Sequence, residues 1–281
     1  MRIAAFERNG EQGVGLVEGQ EVRPLAHGFL GGPDPVIDLI ARWDQLRADV
    51  EAAAGSGLPL AELRLLAPVR RPGKVWAIGL NYRDHVEESG MDVPEKQVWF
   101  TKAVTSLNGP YDPIQVPKAS PYADYEVELV AVIGKRCKNV AKADAASVIF
   151  GYCVGNDVTE RAWQHAGPQW SLGKSFDTHA PIGPWITTAD AVDAHGLDLG
   201  CSVNGETRQS SNTKHLIFDV YDQVEHLSAA MTLEPGDLIF TGTPGGVGAA
   251  MKPMVFLQPG DTVRCEVAGL GHIEGRMEAE A

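Results

Sequence analysis

Positive charge is scarce in this 281-residue chain: 24 lysines and arginines face 37 aspartates and glutamates, a net charge of −13. So acidic a balance argues against a nucleic-acid-binding surface. It leaves room for an anionic small substrate, because a bound cation inverts the local field. Cysteine is sparse too. Cys137, Cys153, Cys201 and Cys265 are scattered, with no Cys-x-x-Cys and no histidine at zinc spacing. Neither a disulfide framework nor a zinc site is expected, and a reducing cytoplasm is the expected location. No stretch approaches the ~18 apolar residues of a membrane span, and residues 1–8 lack a secretion-signal pattern. Internal repeats and low-complexity tracts are missing. The run Thr241-Gly242-Thr243-Pro244-Gly245-Gly246-Val247-Gly248 has neither a Gly-Lys-Ser/Thr ending nor Gly-x-Gly-x-x-Gly spacing, which rejects nucleotide binding. Its backbone N–H groups remain able to grip a carboxylate.

What is present is β-structure and turns. Strand signals fall at 75–78, 98–101, 125–133, 150–154, 199–203, 238–241 and 262–267, separated by Asn204-Gly205 and by two Pro-Gly-Asp turns at 235–237 and 259–261. The 31 glycines and 18 prolines fit a body of short strands and tight turns. Residues 1–24 read as short strands broken at Asn9-Gly10 and Gly19-Gln20. A helix follows, with Asp34 as N-cap, Pro35 in its first position, a stripe of Val36, Ile40, Trp43, Leu46 and Val50, and an end at Gly55 to Pro59. A second helix is expected from Thr213, with Leu216, Ile217, Val220, Val224 and Leu227 inward. Strands without regular helical alternation argue against a doubly wound α/β fold. The polar boundary Arg70-Arg71-Pro72-Gly73 divides a small N-terminal α/β domain, 1–70, from a catalytic domain, 71–281.

Glu126 and Glu128 lie two apart in the 125–133 strand, so both carboxylates project to one side. With Asp124 they read either as the wet face of an amphipathic edge strand or as a pair whose repulsion a metal relieves. Asp157 closes the 150–154 strand, as a cap for the helical turn after it, as a third ligand, or as both. Three carboxylates make a hard, all-oxygen site, suited to Mg²⁺, Mn²⁺ or Ca²⁺. His85 and Glu88 are three apart, either a surface pair or an imidazole oriented by a carboxylate for general-base work. Lys174, among apolar neighbours, is either a surface charge or a buried cation facing a developing oxyanion.

Taken in order, these segments resemble the fumarylacetoacetate hydrolase family over about residues 72–275. The motifs are Gly79-Leu80-Asn81-Tyr82 with Asp84-His85, Glu126-x-Glu128, Gly155-Asn156-Asp157, Lys174-Ser175-Phe176-Asp177, Asn212-Thr213, and Pro235-Gly236-Asp237 leading into Thr241-Gly242-Thr243-Pro244. The likeness is to its acylpyruvate hydrolase and 2-hydroxyhepta-2,4-diene-1,7-dioate isomerase branch. It implies an α+β, β-rich fold, a mixed β-sandwich roll, forming a homodimer. It further implies Glu126, Glu128 and Asp157 as ligands of a divalent ion, usually Mg²⁺, with Lys174 offsetting oxyanion charge. His85 with Glu88 would activate water, and Arg161, Gln164 and Thr243 would contact a small anionic keto-acid substrate. The implied reaction is metal-dependent C–C hydrolysis of a 2,4-diketo acid to pyruvate, or a similar keto acid, and a carboxylic acid. Alternatives on the same core are oxaloacetate decarboxylation or tautomerisation and 2-hydroxy-dienedioate isomerisation or decarboxylation in aromatic catabolism. A non-catalytic metal-binding protein is a further alternative. Trp163, Trp170, Tyr111 and the 160–172 segment are candidates for reading the substrate's distal group.

Overall fold

A computed structural model of the chain describes residues 1–26, 30–52, 56–90 and 92–281. Its main feature is a 12-stranded mixed sheet. At its centre the strand Val127–Ile133 lies between Ile149–Asn156 and Leu238–Phe240, antiparallel to both. Leu238–Phe240 in turn pairs in parallel with Val75–Gly79, which pairs with Val98–Thr101. On the other side Ile149–Asn156 continues through Ala180–Thr188 to Arg2–Arg8, so the N-terminal strands extend the same sheet. A five-stranded sheet (Glu206–Asn212, Asp198–Val203, Thr262–Val267, Gly271–Ala279, Ile114–Val116) packs against it. The architecture is the expected β-rich α+β sandwich.

Alternation along Val127–Ile133 explains why every residue of the strand except Glu128 is apolar. Val127, Leu129, Ala131 and Ile133 enter the core shared with the five-stranded sheet. Val130 and Val132 enter a second core with Ile3, Leu16, Val36, Leu39 and Ile40 from the first 70 residues. A strand buried on both faces has no polar side. The edge-strand reading of Asp124, Glu126 and Glu128 is therefore overturned.

Both expected helices are corrected. The first is two segments, Pro35–Ala41 and Trp43–Ala52, separated by a turn at Arg42 that brings Trp43 edge-on to Phe150 at 5.1 Å. Asp34 does cap it, accepting from the N–H groups of Val36 and Ile37. Gly55, expected at its end, lies outside the described residues. Thr213 opens only a 3₁₀ turn, Thr213–His215; the helix is Val220–Ala230, capped by Asp219 in a reciprocal box with Asp222. The delay has a local cause. Asn81 accepts from the N–H groups of Ile217 (2.8 Å, main chain) and Phe218 (2.9 Å, side chain), so this stretch bonds across the molecule and not along itself.

Candidate active site

Glu126 immediately precedes the central strand and Glu128 lies within it, while Asp157 follows the neighbouring Ile149–Asn156. The antiparallel register sets Asp157 opposite Glu126, and the Asp157 N–H donates to the Glu126 carbonyl at 2.9 Å. One carboxylate oxygen from each of the three acids lies within 4.8 Å of the others. Their exposures are 4%, 1% and 0%, so bulk water does not screen their repulsion. Asp157 does not cap the next helix: Glu160 caps Arg161–His165, accepting from the Trp163 N–H.

Cations supply most of the compensation. Lys174 Nζ lies 2.7 Å from both Glu126 Oε2 and Asp157 Oδ2, and Lys102 Nζ lies 2.6 Å from Asp157 Oδ1. Arg161 reaches Asp124 at 2.7 Å and Glu126 at 2.8 Å. Burial alone would raise the Glu126 carboxyl, but Lys174, Arg161 and His85 outweigh it and hold its pKa at about 2. Burial would likewise discharge Lys174, yet Asp157 and Glu126 raise its pKa. Glu128 differs. Its Oε2 accepts from the Gly242 N–H at 2.7 Å and, among the described residues, no cation bonds it. Burial, then the charges of Asp157 and Glu126, push its carboxyl well above the usual range. Counted formally, Asp124, Glu126, Glu128 and Asp157 against Lys102, Arg161 and Lys174 leave 4 − 3 = 1 carboxyl in excess, and Glu128 is the one that no cation bonds among the described residues. Three hard oxygen donors around one uncompensated carboxyl fit a divalent cation.

The His85–Glu88 pair forms as the spacing predicts. His85 and Glu88 share the helix Arg83–Ser89, with Nδ1 and Oε1 3.0 Å apart. The other Glu88 oxygen accepts from the Gly246 N–H at 2.8 Å. The 241–248 run does grip carboxylates, and they are the protein's own: Gly242 holds Glu128, Gly246 holds Glu88, and Gly248 and Ala249 hold Asp124 at 2.8 and 3.0 Å.

His85, Glu88, Glu126, Glu128, Arg161, Gln164, Lys174 and Thr243 all line one cavity of about 470 Å³, with Ile78, Phe100, Trp170 and Val247 as apolar wall. Asp157 sits behind the wall, fully buried. Arg161 is committed to Asp124, Glu126 and Gln164, and the Thr243 hydroxyl donates to the Val127 carbonyl and accepts from Gln209. Of the distal-group candidates, Trp170 and part of the 160–172 segment (Arg161, Gln164, His165) reach the cavity. Trp163 instead packs edge-on to Phe176, and the Tyr111 hydroxyl donates to the His272 carbonyl. Two residues at the centre escaped sequence reasoning as site members, Lys102 and Asp124. Lys102 follows a strand as surface lysines commonly do, and its contact to Asp157 spans 55 residues. Asp124 had a signal, its place two before Glu126 on the same face.

The family model described as fumarylacetoacetate (FAA) hydrolase C-terminal matches residues 74–278. A mitochondrial oxaloacetate tautomerase of Bos taurus is 43% identical over 251 residues, covering 87% of this chain and 80% of that protein. The solved maleylpyruvate hydrolase of Sphingobium sp. SYK-6, in complex with manganese(II) and pyruvate, is 35% identical with a TM-score of 0.86, over 100% of both chains. The 2-hydroxyhepta-2,4-diene-1,7-dioate isomerase of Mycobacterium marinum is 35% identical with a TM-score of 0.81, covering 100% of this chain and 99% of its own. These relatives are enzymes: a tautomerase, a hydrolase and an isomerase. This chain belongs to the fumarylacetoacetate hydrolase family. No helix among the described residues is long and apolar enough to cross a membrane.

Proposed function

We propose that the protein is a divalent-metal-dependent hydrolase of 2,4-diketo acids, cleaving a C–C bond to release pyruvate or a similar keto acid and a carboxylic acid. The observation carrying this reading is that the acid cluster and the oriented His85–Glu88 pair line one cavity. Glu126, Glu128 and Asp157 would hold the ion, Mg²⁺ in the first instance, with Mn²⁺ and Ca²⁺ as alternatives of the same hard class. When bound, it would supply Lewis acidity to the carboxylate and keto oxygens of a 2-keto acid. The manganese in the maleylpyruvate hydrolase relative supports this choice of group.

The chain's residues then have defined tasks. Glu88 holds Nδ1 of His85, which leaves Nε2 to take a proton from water. The resulting hydroxide adds to the carbonyl at C4. The Lys174 ammonium offsets charge on that tetrahedral oxygen. The C3–C4 bond breaks with its electron pair passing to the pyruvate enolate, and His85 returns the proton to C3. One water is consumed, and a carboxylic acid and pyruvate leave. Arg161, Gln164 and Thr243 shape the cavity wall around the substrate. The working unit is proposed to be a cytoplasmic homodimer, which light scattering tests for assembly.

A second reading, oxaloacetate tautomerisation, is favoured by the 43%-identical tautomerase. It needs a proton moved between carbon and enol oxygen, a task for His85 without water. Pyruvate release from acetylpyruvate, fumarylpyruvate and oxaloacetate, with Mg²⁺ and with EDTA, separates the two. Metal-dependent release from the acylpyruvates, lost in His85→Ala, is the expected result. Accelerated enol–keto exchange of oxaloacetate with no acylpyruvate cleavage would replace hydrolase by tautomerase. Glu126→Ala should lose Mn²⁺ binding by calorimetry together with turnover; an active, metal-free variant would sink both readings.

A further inference from the structure

The cations on the cavity wall differ in what holds them. Lys174 is taken up by Glu126 and Asp157, and Arg161 by Asp124 and Glu126. Lys252 also lines the cavity, is exposed, and forms no ion pair among the described residues. It is carried by the stretch after the glycine-rich run, and that stretch is tied down on both sides of it. Gly248 and Ala249 bond Asp124, the Val255 N–H bonds the Gly248 carbonyl at 3.1 Å, and the Leu257 N–H bonds the Ala123 carbonyl at 2.8 Å. The chain segment that holds Asp124 thus also carries Lys252, exposed to solvent on the cavity lining. Met251 and Met254 flank it on the lining, with Trp170, Phe100 and Val247. From the inside outward the cavity runs from acids with committed cations, past apolar wall, to an uncommitted ammonium.

That sequence of chemistries describes a ligand. Resting on the reading of the site as one for 2-keto acids, we propose that Lys252 is a specificity-determining residue that pairs with a second carboxylate at the far end of the substrate. The substrate class is then the dicarboxylates: a 2-keto acid head, an apolar or unsaturated middle, and a distal carboxylate. A methyl-ended acyl group would leave the ammonium to water. In a chain of net charge −13, an uncommitted cation on an active-site wall offsets repulsion of a dianion where it enters.

The test uses two unreactive ligands of equal length and identical head, 2-oxoadipate and 2-oxohexanoate, which differ in a distal carboxylate against a methyl. Calorimetry on the Mn²⁺-loaded full-length protein should show the dicarboxylate bound about five- to tenfold more tightly, the range of a half-exposed charged hydrogen bond. Lys252→Met should erase that preference with 2-oxohexanoate affinity unchanged, and Lys252→Arg should keep it. Equal affinities in wild type, or a preference that survives Lys252→Met, would overturn the inference alone. If neither acid binds the wild-type protein, the 2-keto-acid reading fails and takes this inference with it.

Discussion

Lys102, Lys174 and Arg161 carry cationic groups into the interior beside carboxylates; burial disfavours the ionised form of all three, and the carboxylates outweigh it at Lys174 and Arg161, whereas at Lys102 burial wins and lowers the pKa. Burial wins at His179 too. Its Nε2 lies 2.8 Å from the Gln115 carbonyl, which only accepts, so Nε2 bears the hydrogen and the buried Nδ1 is bare. Among the described residues no carboxylate compensates a second proton there, and burial lowers the pKa from 6.5 to about 4. The folded state refuses a proton that the unfolded chain takes. Stability from this group is therefore full above pH 6.5 and is lost as pH falls toward about 4, by about 3 kcal/mol in all. Urea denaturation across that window should show a shallower decline in His179→Gln than in wild type; equal slopes would refute the assignment. The contrast also marks what a sequence reveals of single residues. Glu126-x-Glu128 was legible because strand alternation is local. Lys102 was not, because its burial depends on strands brought beside it from elsewhere in the chain.

At the scale of elements, the 241–248 run acts as a clamp. Gly246 sits at φ +103°, where a side chain is strained, and a Cβ there would lie 2.1 Å from the Arg208 carbonyl oxygen. Gly246→Ala must therefore shift the run and release Glu88. The expected result is a fall in kcat of roughly tenfold, from an imidazole no longer held, with Mn²⁺ affinity kept because Gly242 still holds Glu128. Retained kcat, or metal binding lost in step, would show that the clamp does something else. Elements were the best-read level of this chain, since strands and turns follow from alternation, Asn-Gly and Pro-Gly. The first helix's start at Asp34 held, while its continuity and the start of the second helix failed where distant partners intervened. Asn81 draws residues 217 and 218 outward, and Phe150 meets Trp43 beyond the turn at Arg42.

For the whole molecule, the core under the central strand joins Ile3, Leu16, Leu39 and Ile40 to Val130, Val132, Phe150 and Phe240. Expressing residues 71–281 alone would expose that face, and the fragment should aggregate or lack near-ultraviolet circular dichroism, since burial of such side chains contributes about 1.5–3 kcal/mol each. A soluble, native-like fragment would instead show that the N-terminal segment is dispensable. The clamp has a last consequence at this scale. Its grip on Glu88, Glu128 and Asp124 is made by main-chain N–H groups, which every residue except proline possesses. Side chains of the same run and of the residues just after it, Thr243, Val247, Met251 and Lys252, line the cavity. Substitution of those side chains would change the cavity wall while leaving the main-chain hold on Glu88, Glu128 and Asp124 in place. A lineage built this way drifts among substrates without rebuilding its chemistry.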